Sequence, residues 1–91
     1  MAAVFAYALA LPTAAETLRG LAPAANIRIG AAVDIPTLNK DPAYARLLAR
    51  EFNLLTPENA MKFSVIHPER ERYDFSQADA LLAFAEAHGM Q

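Results

Sequence analysis

Apolar and polar positions along this chain change period several times, and each change marks an element. Residues 16–22 form a short helical candidate with Leu18 and Leu21 on one face, weakened by Gly20 and stopped by Pro23. Ile27-Arg28-Ile29 then alternates and passes into Gly30, Ala31, Ala32 and Val33, which predicts a strand over 26–34. Its small residues permit close approach of a neighbour, and Pro36 ends it because proline cannot donate to a ladder. Asp41-Pro42 is a helix start, an N-cap carboxylate followed by proline in the first turn, and Tyr44, Leu47, Leu48 and Phe52 follow at helical spacing. Leu54 to Thr56 reads as a second buried strand, closed by Pro57. Met61, Phe63, Val65 and Ile66 continue the apolar content as a helical turn or loop that packs back on the sheet. A charged loop over 67–75 leads to Ser76, expected to cap a last helix with Asp79 completing a capping-box-like pair. Ala78, Leu81, Leu82 and Ala85 are its expected inner face, with Phe84 on the flank; Gly89 stops it, and Met90-Gln91 begins a third strand.

Strands alternating with helices imply an α/β fold with parallel pairing. Ninety-one residues allow one small domain or a piece of a larger one. Two strands and two helices leave a sheet edge and one sheet face open. The chain is therefore expected to meet the remainder of a larger sheet or to self-associate.

Composition narrows the partners. Net charge is −2, which gives no basic field for nucleic acid or an anionic membrane. There is no cysteine, hence no disulfide framework and no thiolate metal site. His67 and His88 have no metal-ligand spacing, and no glycine-rich phosphate loop is present, so no metal or cofactor is expected. Residues 1–15 carry no charged side chain and end in small residues, as the core and cleavage region of a secretory signal do. That reading makes the protein secreted or periplasmic. No Lys or Arg precedes the apolar run, so an alanine-rich leader or a misplaced start codon fits the same residues.

The chemistry concentrates in residues 52–63, where an apolar strand breaks at Pro57 and delivers Glu58, Asn59 and Lys62 within one short stretch. Loops at the ends of parallel strands are where such folds place binding groups. A carboxylate, an amide and an ammonium together suit hydroxyl-rich ligands, since each hydroxyl both donates and accepts. Sugars are the obvious class. The same spacing also fits a plain i,i+4 ion pair between Glu58 and Lys62, with Asn59 as a turn residue. No acidic pair can be assigned as acid and base from spacing.

Thr56-Pro57-Glu58-Asn59-Ala60-Met61-Lys62 resembles the Thr-x-Glu-Asn-x-Met-Lys signature of glycoside hydrolase family 10, the endo-β-1,4-xylanases. Phe52-Asn53, His67-Pro68, Tyr73-Asp74-Phe75-Ser76-Gln77-Ala78-Asp79, Phe84-Ala85 and Ile29-Gly30-Ala31-Ala32 resemble the family's runs in the same order. The resemblance covers 18–91. It implies a (β/α)8 TIM barrel, which typically takes ~250 residues. Residues 16–91 would then be a partial barrel domain holding the first two βα units.

The resemblance further implies a retaining hydrolysis of internal xylosidic bonds by two glutamates on the fourth and seventh strands, so no catalytic residue lies in this chain. Glu58, Asn59 and Lys62 match the family residues that bind xylose units on the non-reducing side of the cleaved bond. Xylan or xylo-oligosaccharide is the implied partner. Phe63 stands where the family commonly has Trp, and Glu71 near its usual turn glycine. A non-catalytic carbohydrate-binding module or an inert fragment is the alternative reading.

Overall fold

The computed structural model describes residues 16–91. The signal-remnant reading of residues 1–15 lies outside the described residues. The first helix, α1 (Leu18–Leu21), is capped by Thr17, whose Oγ1 accepts from the Gly20 amide at 2.9 Å. Pro23 tightens the chain into a 3-10 turn over Ala22–Ala25, closed by Asn26 at φ 59°. The Ile27 amide is held by the Ala22 carbonyl of that turn at 3.1 Å. Strand β1 is consequently only Gly30–Val33, shorter at both ends than the alternation implied.

Asp34 ends β1 and also starts a helix absent from the sequence reading, α2 (Ile35–Lys40). Its Oδ2 accepts from the Thr37 amide at 3.2 Å and the Thr37 hydroxyl at 2.5 Å. Pro36, read as a strand stop, sits in the first turn of α2, where a missing N–H costs nothing. Helix α3 (Pro42–Glu51) begins as expected, with Asp41 Oδ1 accepting from the Ala43 and Tyr44 amides. It buries Leu48 and packs Tyr44 against the core, while Leu47 stays exposed.

Strand β2 (Leu54–Pro57) pairs parallel with β1, Gly30 opposite Leu54 and Val33 opposite Pro57. Gly30 has a steric reason to be glycine: a Cβ there would lie 2.9 Å from the Leu54 carbonyl oxygen. On the other edge of β2, the Gln91 amide donates to the Asn53 carbonyl at 3.0 Å and the Leu55 amide donates to the Gln91 carbonyl at 2.7 Å. That is the hydrogen-bond pattern of a parallel neighbour, although the sheet of the described residues has two strands and Gln91 contributes a single position beside β2.

A one-turn helix, α4 (Phe63–Ile66), follows β2, and α5 (Ser76–Ala87) ends in Gly89 at φ 63°. The expected Ser76 cap is not formed. Ser76 is already the first helical residue, and Asp74 Oδ1 accepts from both its amide and its hydroxyl, at 3.0 and 2.6 Å. Two residues upstream, a carboxylate reaches the helix start that Ser76 itself cannot cap. Leu81 and Ala85 are buried, but Leu82, expected on the same face, is exposed.

The core is Val33, Ile35, Leu48, Leu55, Ala60, Leu81 and Ala85. It lies on one side of the sheet. Gly30, Ala32 and Thr56, on the opposite face, are exposed. Arg19 laces the base: Nη1 donates to the Ala49 and Phe52 carbonyls at 3.1 and 3.3 Å, and Nη2 to the His88 carbonyl at 2.7 Å. Glu51 completes the tie by accepting from the Leu18 amide at 2.9 Å, the bond that most lowers its pKa, with Arg50 adding to it.

A core this small leaves Leu18, Leu21, Ile27, Met61 and Leu82 about half exposed or more. The 91-residue chain by itself should therefore run as oligomer or aggregate on gel filtration, with weak near-UV circular dichroism. A monodisperse monomer that unfolds cooperatively would contradict the uncovered-sheet reading.

Candidate functional site

The carboxyl ends of β1 and β2 carry the polar cluster. Val33 ends β1, and its carbonyl accepts from the Glu58 amide at 3.0 Å, one bond beyond Pro57. This bond fixes the start of the 58–62 loop over the strand tips. The Lys62 amide donates to the Asn59 carbonyl at 3.0 Å, closing a turn, and Lys62 then serves as the N-cap residue of α4. Inside the turn, Ala60 is driven into the core at 1% exposure. Burial of that one small residue holds the loop down while its polar neighbours stay at the surface.

The three predicted residues share this loop. Glu58, Asn59 and Lys62 are all exposed. Glu58 and Lys62 do not form the i,i+4 ion pair that the spacing also allowed; among the described residues the ion pairs join Arg50 to Glu51, and Arg72 to Glu69 and Asp74. Nor does any side chain of the three hydrogen-bond to another described residue. Their acceptors and donors are exposed and free of partners among the described residues, as groups that meet hydroxyls would have to be.

Two neighbouring groups stiffen this end. The Asp34 amide donates to Tyr44 Oη at 3.0 Å, tying α3 to the tip of β1. After α4 the chain folds back through a turn in which the Arg72 amide donates to the Glu69 carbonyl at 3.0 Å, and the Asp74 amide donates to the Ile66 carbonyl at 2.7 Å. The alternating Glu-Arg run is thus a surface turn with exposed ion pairs, which contribute little. His67, without metal-ligand spacing in the sequence, has a structural role here: Nδ1 donates to the Arg72 carbonyl at 3.0 Å and the ring lies on Tyr73, centroids 4.1 Å apart.

Sequence reasoning missed Ala60, whose signal was a small apolar residue inside a polar cluster, and the packing together of Phe63, His67, Tyr73 and Phe75. Two open grooves lie elsewhere. One, of about 490 Å³, runs between α3 and α5 past Arg46, Arg50, Phe84 and His88. Another, of about 760 Å³, lies at the opposite end of the strands beside Asn26, Arg28 and Asn53. Neither includes a residue of the 58–62 loop. Among the described residues no His, Asp and Glu cluster is placed to hold a metal ion.

The sequence profile of Glycosyl hydrolase family 10 matches residues 17–91. The endo-1,4-beta-xylanase B of Thermotoga neapolitana is 44% identical, over 80% of this chain and 22% of that protein. The beta-1,4-xylanase of Dictyoglomus thermophilum is 52% identical over 53% of this chain and 14% of that protein. Among solved structures, xylanase 10B of Thermotoga petrophila RKU-1 in complex with xylobiose superposes with a TM-score of 0.70 at 43% identity, covering 81% of this chain and 23% of that one. The chain thus spans about a quarter or less of the relatives it matches.

Asp74 sets a pH dependence on the loop leading away from the cluster. The Ser76 hydroxyl and then the Ser76 amide hold its carboxyl below the ordinary aspartate value of 3.8, with Arg72 adding to the effect. A depressed folded-state pKa gives stability that is complete above the unfolded value and lost as pH falls through the folded one. In a complete barrel carrying this segment, urea unfolding should weaken less steeply below about pH 4 in Asp74→Asn than in the wild type. Equal slopes would show that the bonds to Ser76 contribute nothing.

Proposed function

Because this chain belongs to glycosyl hydrolase family 10, we propose that it is the opening quarter of an endo-β-1,4-xylanase barrel, with Glu58, Asn59 and Lys62 binding xylose units on the non-reducing side of the cleaved bond. The solved relatives are (β/α)8 barrels, and the parallel sheet here is a partial α/β unit of that kind. The observation that carries the reading is the exposed trio in the loop at the carboxyl tips of β1 and β2, the end at which barrels of this class build their sites.

The chemistry follows from what the trio can and cannot do. Retaining hydrolysis needs two carboxyls about 5 Å apart across the glycosidic bond, one to protonate the leaving oxygen and one to attack the sugar. Glu58 has no second carboxylate beside it in the loop, so it serves as a hydrogen-bond acceptor for sugar hydroxyls. The catalytic pair belongs to later strands, outside these residues. Asn59 both donates and accepts, and Lys62 donates. Binding of remote sugar units by these groups holds the substrate in register, and that energy can be used to orient and distort the reacting unit. The exposed small residues Gly30 and Ala32 and the hydroxyl of Thr56 face the barrel interior in this arrangement, where the remaining strands would cover them.

The test is hydrolysis. A complete barrel in which residues 17–91 replace the matching segment of the Thermotoga neapolitana enzyme should cleave xylan, and the 91-residue chain alone should not. Asn59→Ala or Lys62→Ala in that barrel should lower kcat/KM on short xylo-oligosaccharides by about 1–3 kcal/mol, the cost of unpaired polar groups in the bound complex. Unchanged kinetics in both variants would remove the binding role.

We also propose that residues 1–15 direct export and are removed. N-terminal sequencing of protein recovered outside the cytoplasm should begin near residue 16; an intact Met1 would refute it.

A further inference from the structure

The peptide unit joining Val33 to Asp34 is held at both edges. Its carbonyl accepts from the Glu58 amide at 3.0 Å, and its N–H donates to Tyr44 Oη at 3.0 Å. A peptide unit is planar, so these two groups point in opposite directions within one rigid plate. A rotation that breaks one bond strains the other. The bonds also lie in series, from hydroxyl through peptide to amide, and bonds in series polarise and strengthen one another.

The partners at each edge have little freedom. Tyr44 stands in the first turn of α3, where its amide donates to Asp41 Oδ1 at 3.3 Å, and its half-buried ring packs against the core. The capped helix and the core therefore place its hydroxyl. Val33 and Ile35, on either side of Asp34, are 0% and 3% exposed, so water has little access to the N–H that Tyr44 binds. Asp34 Oδ2 is occupied elsewhere, by the Thr37 amide and hydroxyl at the start of α2. Across the sheet, Pro57 has no N–H, which makes the Glu58 amide the first backbone donor after Thr56. Glu58 is where the clamp is felt. Every group in it belongs to the described residues, and none depends on an uncovered surface.

We propose that Tyr44 is a positioning residue for sugar binding: through the Val33–Asp34 peptide, its hydroxyl sets where Glu58 stands over the strand tips. The inference rests on the xylanase reading and adds to that site a residue of the outer helix α3 that acts through backbone alone. Without the hydroxyl, the Asp34 N–H loses its partner between two buried side chains. The plate is then free to tilt, and the bond that starts the 58–62 loop loosens.

The test uses the complete barrel carrying residues 17–91, with Tyr44→Phe, Glu58→Ala, the double variant, and Leu48→Ala as a core substitution in the same helix that leaves the peptide untouched. Tyr44→Phe keeps the ring and removes only the oxygen. Assayed below the unfolding range of every variant, it should lower kcat/KM on xylotriose about three- to tenfold, the size of one net hydrogen bond. Added to Glu58→Ala it should lower kcat/KM no further, because it acts through Glu58. Deuterium uptake should rise in peptides covering 33–35 and 57–62, and stay unchanged over 52–55. Leu48→Ala should lower the melting temperature at least as much and leave kcat/KM within about twofold. Full additivity of Tyr44→Phe with Glu58→Ala, or equal losses of kcat/KM in Tyr44→Phe and Leu48→Ala, overturns the positioning role and leaves the xylanase reading standing. A parent barrel inert on xylotriose, or one indifferent to Glu58→Ala, overturns the binding reading, and this inference with it.

Discussion

Asn53 sets the register on which the sheet depends. Its amide donates to the Ile29 carbonyl at 3.1 Å, and its side-chain oxygen accepts from the Ile29 amide at 2.9 Å. Its own carbonyl accepts from Gln91 on the other side. One residue thus joins the starts of three neighbouring strand positions. With that register fixed, Val33 must lie opposite Pro57, and the next amide, that of Glu58, meets the Val33 carbonyl. The position of the polar trio is a consequence of pairing at the far end of the strands. A parallel sheet transmits position this way because each bond in the ladder constrains the next.

The loop itself combines two opposed tendencies. Ala60 seeks the core, and the polar residues on either side seek water or a ligand. A larger side chain at Ala60 would lift the loop from the sheet, since close-packed interiors do not absorb added volume cheaply. The resulting arrangement is a rigid strand tip with exposed hydrogen-bonding groups, which suits positioning a substrate more than reacting with it.

At the opposite end, Arg19 and Glu51 perform a different task. The Arg19 guanidinium reaches carbonyls at the ends of both α3 and α5, where unsatisfied carbonyls and the negative end of each helix dipole converge. Its planar fork can serve several carbonyls at once. The first helix is anchored to the sheet's base chiefly by these polar bonds, because Leu18 and Leu21 bury little.

Much of this was legible in the sequence. The Asp41-Pro42 start, the strand up to Pro57 and the stop at Gly89 all rest on interactions within a few residues, and local chemistry decides those. The Thr-Pro-Glu-Asn-Ala-Met-Lys run was specific enough to point to the family as well. What the tertiary structure alone decided has long separations. Arg19 meets His88 across 69 residues. Asp34 starts α2 where proline had suggested only an end, Ser76 is bound by Asp74 instead of capping α5, and Leu82 is exposed although its period placed it inside. Four rings spread over 63–75 become one row only when the loop folds back. Period and capping preference describe a segment in isolation, whereas which neighbour covers a face, or which carbonyl a guanidinium meets, is fixed only once the segments pack.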